Sequence, residues 1–353
     1  MIRLPAFLLA AVIAAVTVAG CQVRRAPGPE STRQLRVALV RRIIEEPALS
    51  PAAWSPDGRR FAFGGAQGLF VAAPDGRPRR IGPGGVITTV VWSRPLDLLA
   101  VIEQGATWVV RADGSHRRRL ALPGFATGAA WSPGGDRLGV VLRRDGGSAA
   151  VYELWLVSPD GGLQRFVHRA PPGGVMRHLQ WFPDSLYLLY GLSSADSDVL
   201  TEVWRVRVSY PDRRRLPVPG GAMELRLSPT GRAIAYVAGP SAEHGRGQVV
   251  ITRPDGTGRV LLTPESGRYS GLSWSPQGDK LAFGRLLDEA HAEIWIADAD
   301  GSGRLEVSSY ALEFSDPSIA LSTSWAPDGR RLLFGTNSGT FQGPIWMAAL
   351  ERR

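Results

Sequence analysis

The 353-residue chain is poor in two residue types that usually tell a reader most: Cys21 is its only cysteine and Lys280 its only lysine. A single cysteine excludes any internal disulfide, even in a compartment that would permit one. Outside residues 4 to 18 there is no long apolar run, and that one is shorter than the ~20 residues a membrane-spanning helix requires. Low-complexity tracts are also missing, because the 42 glycines and 27 prolines are spread along the whole length. With 44% hydrophobic and 21% charged residues, the composition is that of a turn-rich globular chain and excludes wholesale disorder. Three catalytic signatures are absent as well: there is no Gly-x-Ser-x-Gly elbow, no P-loop and no dinucleotide fingerprint.

What is present begins at the N-terminus. Arg3 precedes the apolar run, the small residues Ala19 and Gly20 follow it, and Cys21 comes next. A charged start, a short apolar stretch and a small-residue cleavage site read as a secretory signal. The ending Val18-Ala19-Gly20-Cys21 resembles the lipobox of bacterial lipoproteins. That resemblance implies a diacylglycerol on the Cys21 sulfur, cleavage just before it, and an exported protein anchored in the cell envelope. Gln22 stands where inner-membrane lipoproteins of many two-membrane bacteria carry a retaining aspartate, which favours the periplasmic side of an outer membrane. In a one-membrane cell the outer face of the cell membrane is expected. Residues 1–20 are then the signal peptide, and 21–33, with two prolines and no periodicity, form a lipid-anchored flexible tether.

The rest of the chain repeats. Trp54-Ser55-Pro56-Asp57-Gly58-Arg59-Arg60-Phe61 recurs from Trp131, Trp274 and Trp325, with weaker copies from Trp92, Trp181 and Leu227. The mean spacing is about 45 residues, the length of a four-stranded propeller blade. A second segment follows each first one, as in Leu154-Trp155-Leu156-Val157-Ser158-Pro159-Asp160-Gly161 and Ile294-Trp295-Ile296-Ala297-Asp298-Ala299-Asp300-Gly301. All eleven tryptophans occupy these two slots, six in the first and five in the second. Short apolar or alternating runs bounded by Pro-Asp-Gly turns are strand and hairpin signals. One such sheet cannot bury both faces, whereas stacked copies cover each other. The tryptophans are therefore expected to pack between neighbouring copies.

These segments resemble the WD40-like repeats of the TolB family, and similar repeats occur in propellers of prolyl-oligopeptidase-type peptidases. The resemblance implies an all-β, seven-bladed β-propeller of four-stranded antiparallel blades over residues 34–353. The chain departs from TolB itself in having a lipobox, seven repeats against six, and no separate N-terminal α/β domain. The seventh copy is one strand short, and residues 33 to 40 alternate with Leu35, Val37 and Leu39 on one side. This N-terminal strand is expected to complete the last blade.

No residue stands out as catalytic, cofactor-binding or metal-binding, so the expectation is a protein that is not an enzyme and has no cofactor. Its function is expected to be a binding scaffold for an envelope protein or peptide, with the uneven hairpins of the third to sixth copies as the docking rim. The alternative is a carbohydrate-directed propeller, a glycan binder or a metal-dependent polysaccharide lyase, since some seven-bladed pectate-degrading lyases resemble TolB propellers and hold a metal with several histidines. For the lyase, some of His116, His168, His178, His244 and His291 must cluster with a carboxylate. Residues 298–303 superficially suggest a calcium loop but occupy a hairpin-turn slot. A net charge of +9, nearly all arginine, suits acidic envelope polymers or lipid headgroups. Repeated arginine pairs beside the turns read as solvated outer strands, and export argues against a nucleic-acid partner.

Overall fold

Each repeat folds because its apolar runs are strand-length and its turns are chemically specified. In the third copy the strands are Phe125–Trp131, Leu138–Asp145, Ala150–Val157 and Gln164–Arg169, each antiparallel to the next. The first strand ends on the tryptophan, and Ser132 closes the turn. Its hydroxyl accepts from the Arg137 N–H (3.0 Å) and donates to the Asp136 carboxylate (2.8 Å). Gly135 sits at φ 72° in this turn, and Gly58, Gly278 and Gly329 take the same left-handed conformation in theirs. The second strand is central, so both of its faces are covered: all five residues of Phe61–Gly65 are buried, as are the first five of Leu138–Asp145.

The computed structural model describes residues 31–353 except 83, 146–149, 210–211, 240–245, 289–290, 312–319 and 338–341, and the side chains of 46, 47, 311, 337 and 342. The expected signal peptide, Cys21 and all but the end of the tether thus lie outside the described residues. Among those described, five sheets hold four strands each and one holds eight. The eight-stranded sheet is two successive four-strand meanders joined through one residue pair, Leu200 with Ala222. The first strands of the units are Ala53–Trp54, Ile87–Trp92, Phe125–Trp131, Gly174–Trp181, Ala222–Leu227, Arg268–Trp274 and Ala320–Trp325. Apolar clusters form between adjacent units: Ala62 and Leu69 of one pack with Ile87, Leu99 and Val101 of the next.

The first and last described strands pair with each other. Leu35–Ala48 runs antiparallel to Gln342–Arg352, from Leu35 opposite Arg352 to Ala48 opposite Gly343, and completes the sheet containing Ala320–Trp325. The strand is longer than the expected 33–40 because Ile44, 1% exposed, continues into an apolar cluster with Phe61, Phe63, Leu333 and Ile345. Its entry is fixed by Asp298. The Asp298 carboxylate accepts from the Thr32 N–H (2.9 Å), the Thr32 hydroxyl (3.0 Å) and the Ser31 hydroxyl (2.7 Å). The segment 298–303 is the hairpin turn between His291–Asp298 and Arg304–Ala311.

The arginines divide into two groups. Arg79–Arg80 and Arg213–Leu216 are outermost strands with exposed arginines, as expected. Arg60, Arg137 and Arg331 differ, because each stacks over the tryptophan of the next unit: Trp92 at 5.6 Å, Trp181 at 5.6 Å and Trp54 at 4.8 Å. Each such contact contributes about 0.5–1 kcal/mol.

Candidate functional site

The first strands bring their C-terminal tryptophans together around one cavity of about 680 Å³. Trp54, Trp92, Trp131, Trp181, Trp274 and Trp325 line it, and all six are at most 9% exposed. Their indoles are stitched from unit to unit. Trp131 Nε1 donates to Val91 O (3.1 Å), Trp181 to Ala130 O (2.9 Å), Trp274 to Arg226 O (3.0 Å) and Trp54 to Ser324 O (3.1 Å). The last of these links the first unit to the last across 270 residues. Among the described residues, Trp92 Nε1 and Trp325 Nε1 are buried without an acceptor.

Leu227 replaces tryptophan in the fifth unit, so it has no indole N–H to reach back. Gln180 of the fourth unit takes over that link: its Oε1 accepts from the Leu227 N–H (2.8 Å) and its Nε2 donates to Leu225 O (3.0 Å). Further along the same wall, Arg226 pairs with Glu224 (2.8 Å), and the Leu272 N–H donates to Glu224 (3.2 Å). Thr323 then donates to Gly271 O (2.6 Å). A polar seam therefore joins the fourth to seventh units.

The rim of the cavity is formed by the turns after the tryptophans. Pro56, Pro133, Pro183, Pro229, Pro276 and Pro327 stand there, and the second unit presents Arg94 in the equivalent slot. Arg94 is exposed, and among the described residues no carboxylate pairs with it. Six prolines and one unpaired guanidinium make an apolar collar with a single cationic point. Such a cavity lies in the size range of small-ligand and side-chain sites. It opens at the turn end of the units, not at the long hairpins that the sequence pointed to. The third unit's hairpin is also shorter than expected, because strands Leu138–Asp145 and Ala150–Val157 run on into the segment read as a loop.

The four described histidines do not assemble. His116 lies exposed near the turn of the second unit and His291 is exposed at the start of His291–Asp298. His168, on Gln164–Arg169, meets Arg213 Nη1 through Nε2 at 3.0 Å. Burial, with Arg213 adding to it, lowers its pKa to about 4. His178 is on the first strand of the fourth unit at φ 55°, the slot held by Gly271 (φ 70°) two units on. Burial is the main cause that takes it down to about 3, with Arg226 and Arg177 contributing. His244 lies outside the described residues. No group of three His, Cys, Asp or Glu able to hold a metal occurs among the described residues. The donor set for a metal-dependent lyase is therefore not assembled there.

Fold comparison gives the class. Two solved structures of oligogalacturonate lyase share the architecture. One, in complex with manganese, has a TM-score of 0.68 at 14% identity and covers 88% of this chain and 93% of its own. The other, from Vibrio parahaemolyticus, has a TM-score of 0.66 at 12% identity, covering 89% and 96%. TolB from Acinetobacter baumannii matches with a TM-score of 0.54 at 18% identity, over 75% of this chain and 64% of that one. At these identities the likeness is one of fold, and the fold is a TolB-like β-propeller. No protein-family model and no curated protein sequence matches the chain.

The comparison corrects one expectation. The chain was expected not to be an enzyme because no linear catalytic motif is present. Two structures of the same architecture are lyases, so this fold carries catalysis. A propeller draws its site from several units, so a missing linear motif says little about activity.

Proposed function

We propose that the chain is an exported lipoprotein, anchored through Cys21, whose seven-bladed propeller binds an envelope protein or peptide in the tryptophan- and proline-lined cavity. One observation carries this reading: a cavity of about 680 Å³ with an apolar collar and the unpaired Arg94 at its rim. Rigid aromatic and proline surface with one charge suits an extended segment that inserts an apolar residue and offers a carboxylate to Arg94. Residues 1–20 are the signal peptide, 21–33 the tether and 34–353 the propeller in this reading.

A second reading concerns the same cavity. The likeness to two oligogalacturonate lyases, together with Arg94, supports an acidic oligosaccharide as ligand, bound or cleaved there.

Photo-crosslinking from position 133 on the rim, in cells, separates the two. A single envelope protein captured there, with yield cut about tenfold by Arg94→Glu, supports the first reading. Six tryptophans line the cavity, so oligogalacturonate binding will alter intrinsic fluorescence. That change, with no protein captured, replaces the first reading by the second. Silence in both assays removes the cavity as the binding site.

A further inference from the structure

A second cavity, of about 350 Å³, lies between the fourth and fifth units and is lined by Arg205, Arg214, Arg232, Arg253, Asp255 and Leu216, with Pro254 beside them. We propose that it binds a phosphate monoester or diphosphate group. The site is separate from the tryptophan cavity, and the proposal does not depend on what that cavity binds.

The argument rests on charges that the fold leaves unanswered. Arg205 and Arg214 stand directly opposite each other across strands Leu200–Arg207 and Arg213–Leu216. Like charges in that position destabilise a sheet. Their cross-strand neighbours show the usual remedy: Arg215 pairs with Glu202 at 3.1 Å. Among the described residues, Arg205, Arg214 and Arg232 have no carboxylate partner. Arg205 is held instead over the Tyr187 ring at 4.4 Å, which keeps its guanidinium in place without neutralising it. Arg253 makes one long hydrogen bond, to the Thr257 hydroxyl at 3.4 Å.

The lone carboxylate does not balance the site. Asp255 is engaged by its own turn, accepting from the Thr257 hydroxyl (2.7 Å) and N–H (2.9 Å). Hydrogen bonds from Thr257, with Arg253 adding to them, hold it below the usual carboxylate range, so it is ionised near neutrality. Four guanidinium groups against one carboxylate leave a net charge of +3 around the cavity. The buried Leu216 closes one wall, so the charges face a recess.

Phosphoryl oxygens suit this recess better than a single carboxylate. Guanidinium forks bond phosphate bidentately, and a phosphate monoester brings about −1.5 to −2 charges and three acceptor oxygens. A soluble molecule and a lipid headgroup both carry such a group, and the two sources are distinguishable by experiment.

Calorimetric titration of the full chain with inorganic pyrophosphate at fixed ionic strength tests the site, with acetate and galacturonate as single-carboxylate controls. Saturable pyrophosphate binding is expected, weakened about tenfold or more by either Arg214→Ala or Arg232→Ala. Both side chains are exposed, so the variants keep the fold; thermal unfolding verifies this. Arg118→Ala is the control, since Arg118 occupies the matching outer-strand slot of the second unit opposite Val109, and it should leave binding unchanged. Absence of saturable binding at millimolar pyrophosphate overturns the proposal, as does an equal loss in Arg118→Ala, which would make the effect diffuse charge. For the source, the Cys21→Ser form is mixed with phosphatidic acid or phosphatidylcholine vesicles. Arg214-dependent binding to phosphatidic acid alone assigns a lipid headgroup, whereas binding only to free pyrophosphate assigns a soluble ligand.

Discussion

His178 shows how a single side chain records the demands of the wall it stands in. Its slot requires a left-handed backbone, which in the sixth unit only a glycine meets, because a Cβ on Gly271 would stand 2.5 Å from Leu321 O. In the fourth unit the same backbone accepts a histidine, whose Nδ1 lies 3.5 Å from Arg226 Nη1. Burial and the guanidinium groups of Arg226 and Arg177 disfavour the charged imidazole and lower its pKa to about 3, from an ordinary 6.5. The sign follows from proton counting. Between those values the unfolded chain holds a proton that the folded chain refuses, so stability is full above about pH 6.5 and falls as the pH drops. One such group contributes a slope of at most about 1.4 kcal/mol per pH unit. His168, lowered to about 4, adds a second. Asparagine tolerates the left-handed backbone, so His178→Asn should fold and flatten the slope by nearly one proton. Urea unfolding at a series of pH values from about 7 to about 5 measures this, above the range where carboxylates of the unfolded chain take up protons. An unchanged slope would mean that His178 is protonated in the folded protein.

At the scale of elements, the informative strand is Leu35–Ala48. It gives the last sheet its fourth strand and covers the backbone edge of Gln342–Arg352. Deleting residues 31–40 removes the buried Leu35 and the partners of 348–352, and leaves an unpaired edge at the end of the chain. The expected cost is at least about 3 kcal/mol, and the open edge should pair with another copy. Light scattering and denaturant unfolding read both effects, with deletion of 22–30 as the control that should change neither. A monomeric, equally stable product would show that the pairing contributes little. This strand was legible in the sequence because alternation at Leu35, Val37 and Leu39 met a repeat that was one strand short. The repeated tryptophans and Pro-Asp-Gly turns were legible for the same reason, as local chemistry recurring at a fixed spacing. What stayed hidden joins distant residues. Asp298 looked like one more turn residue, and nothing near it in sequence says that it receives Thr32. Arg60 and Arg331 looked like solvated turn arginines, although a tryptophan of the next unit was waiting for each. Arg94 carries no local signal, because it matters only beside six prolines from other units. Likewise Arg205, Arg214, Arg232 and Arg253 converge only once the fourth and fifth units are side by side.

For the molecule as a whole, the proposed anchoring at a membrane can be tested by what would hold the protein there. Two forces are available, and salt weakens only one of them. A net charge of +9 can draw the protein to anionic headgroups, at roughly 1 kcal/mol per basic residue near the surface, within a screening length of about 8 Å at physiological ionic strength. At 1 M salt that length is about 3 Å and the attraction is largely gone. Acyl chains on Cys21 would add about 0.8 kcal/mol for each buried CH₂, and salt leaves that contribution intact. The folded body enters at Ser31, tied to Asp298, so the nine residues 22–30 separate it from Cys21 and limit its reach to about 35 Å. Membranes from cells producing the wild-type chain should therefore keep it through a wash in about 1 M salt, while Cys21→Ser appears in the soluble fraction. If Cys21→Ser is released only by the salt wash, both forces act, and the acyl chains supply the salt-resistant part. If it still sediments after that wash, lipidation is not the anchor, and the arginine-rich body or a membrane-bound partner in the tryptophan cavity has to account for the attachment.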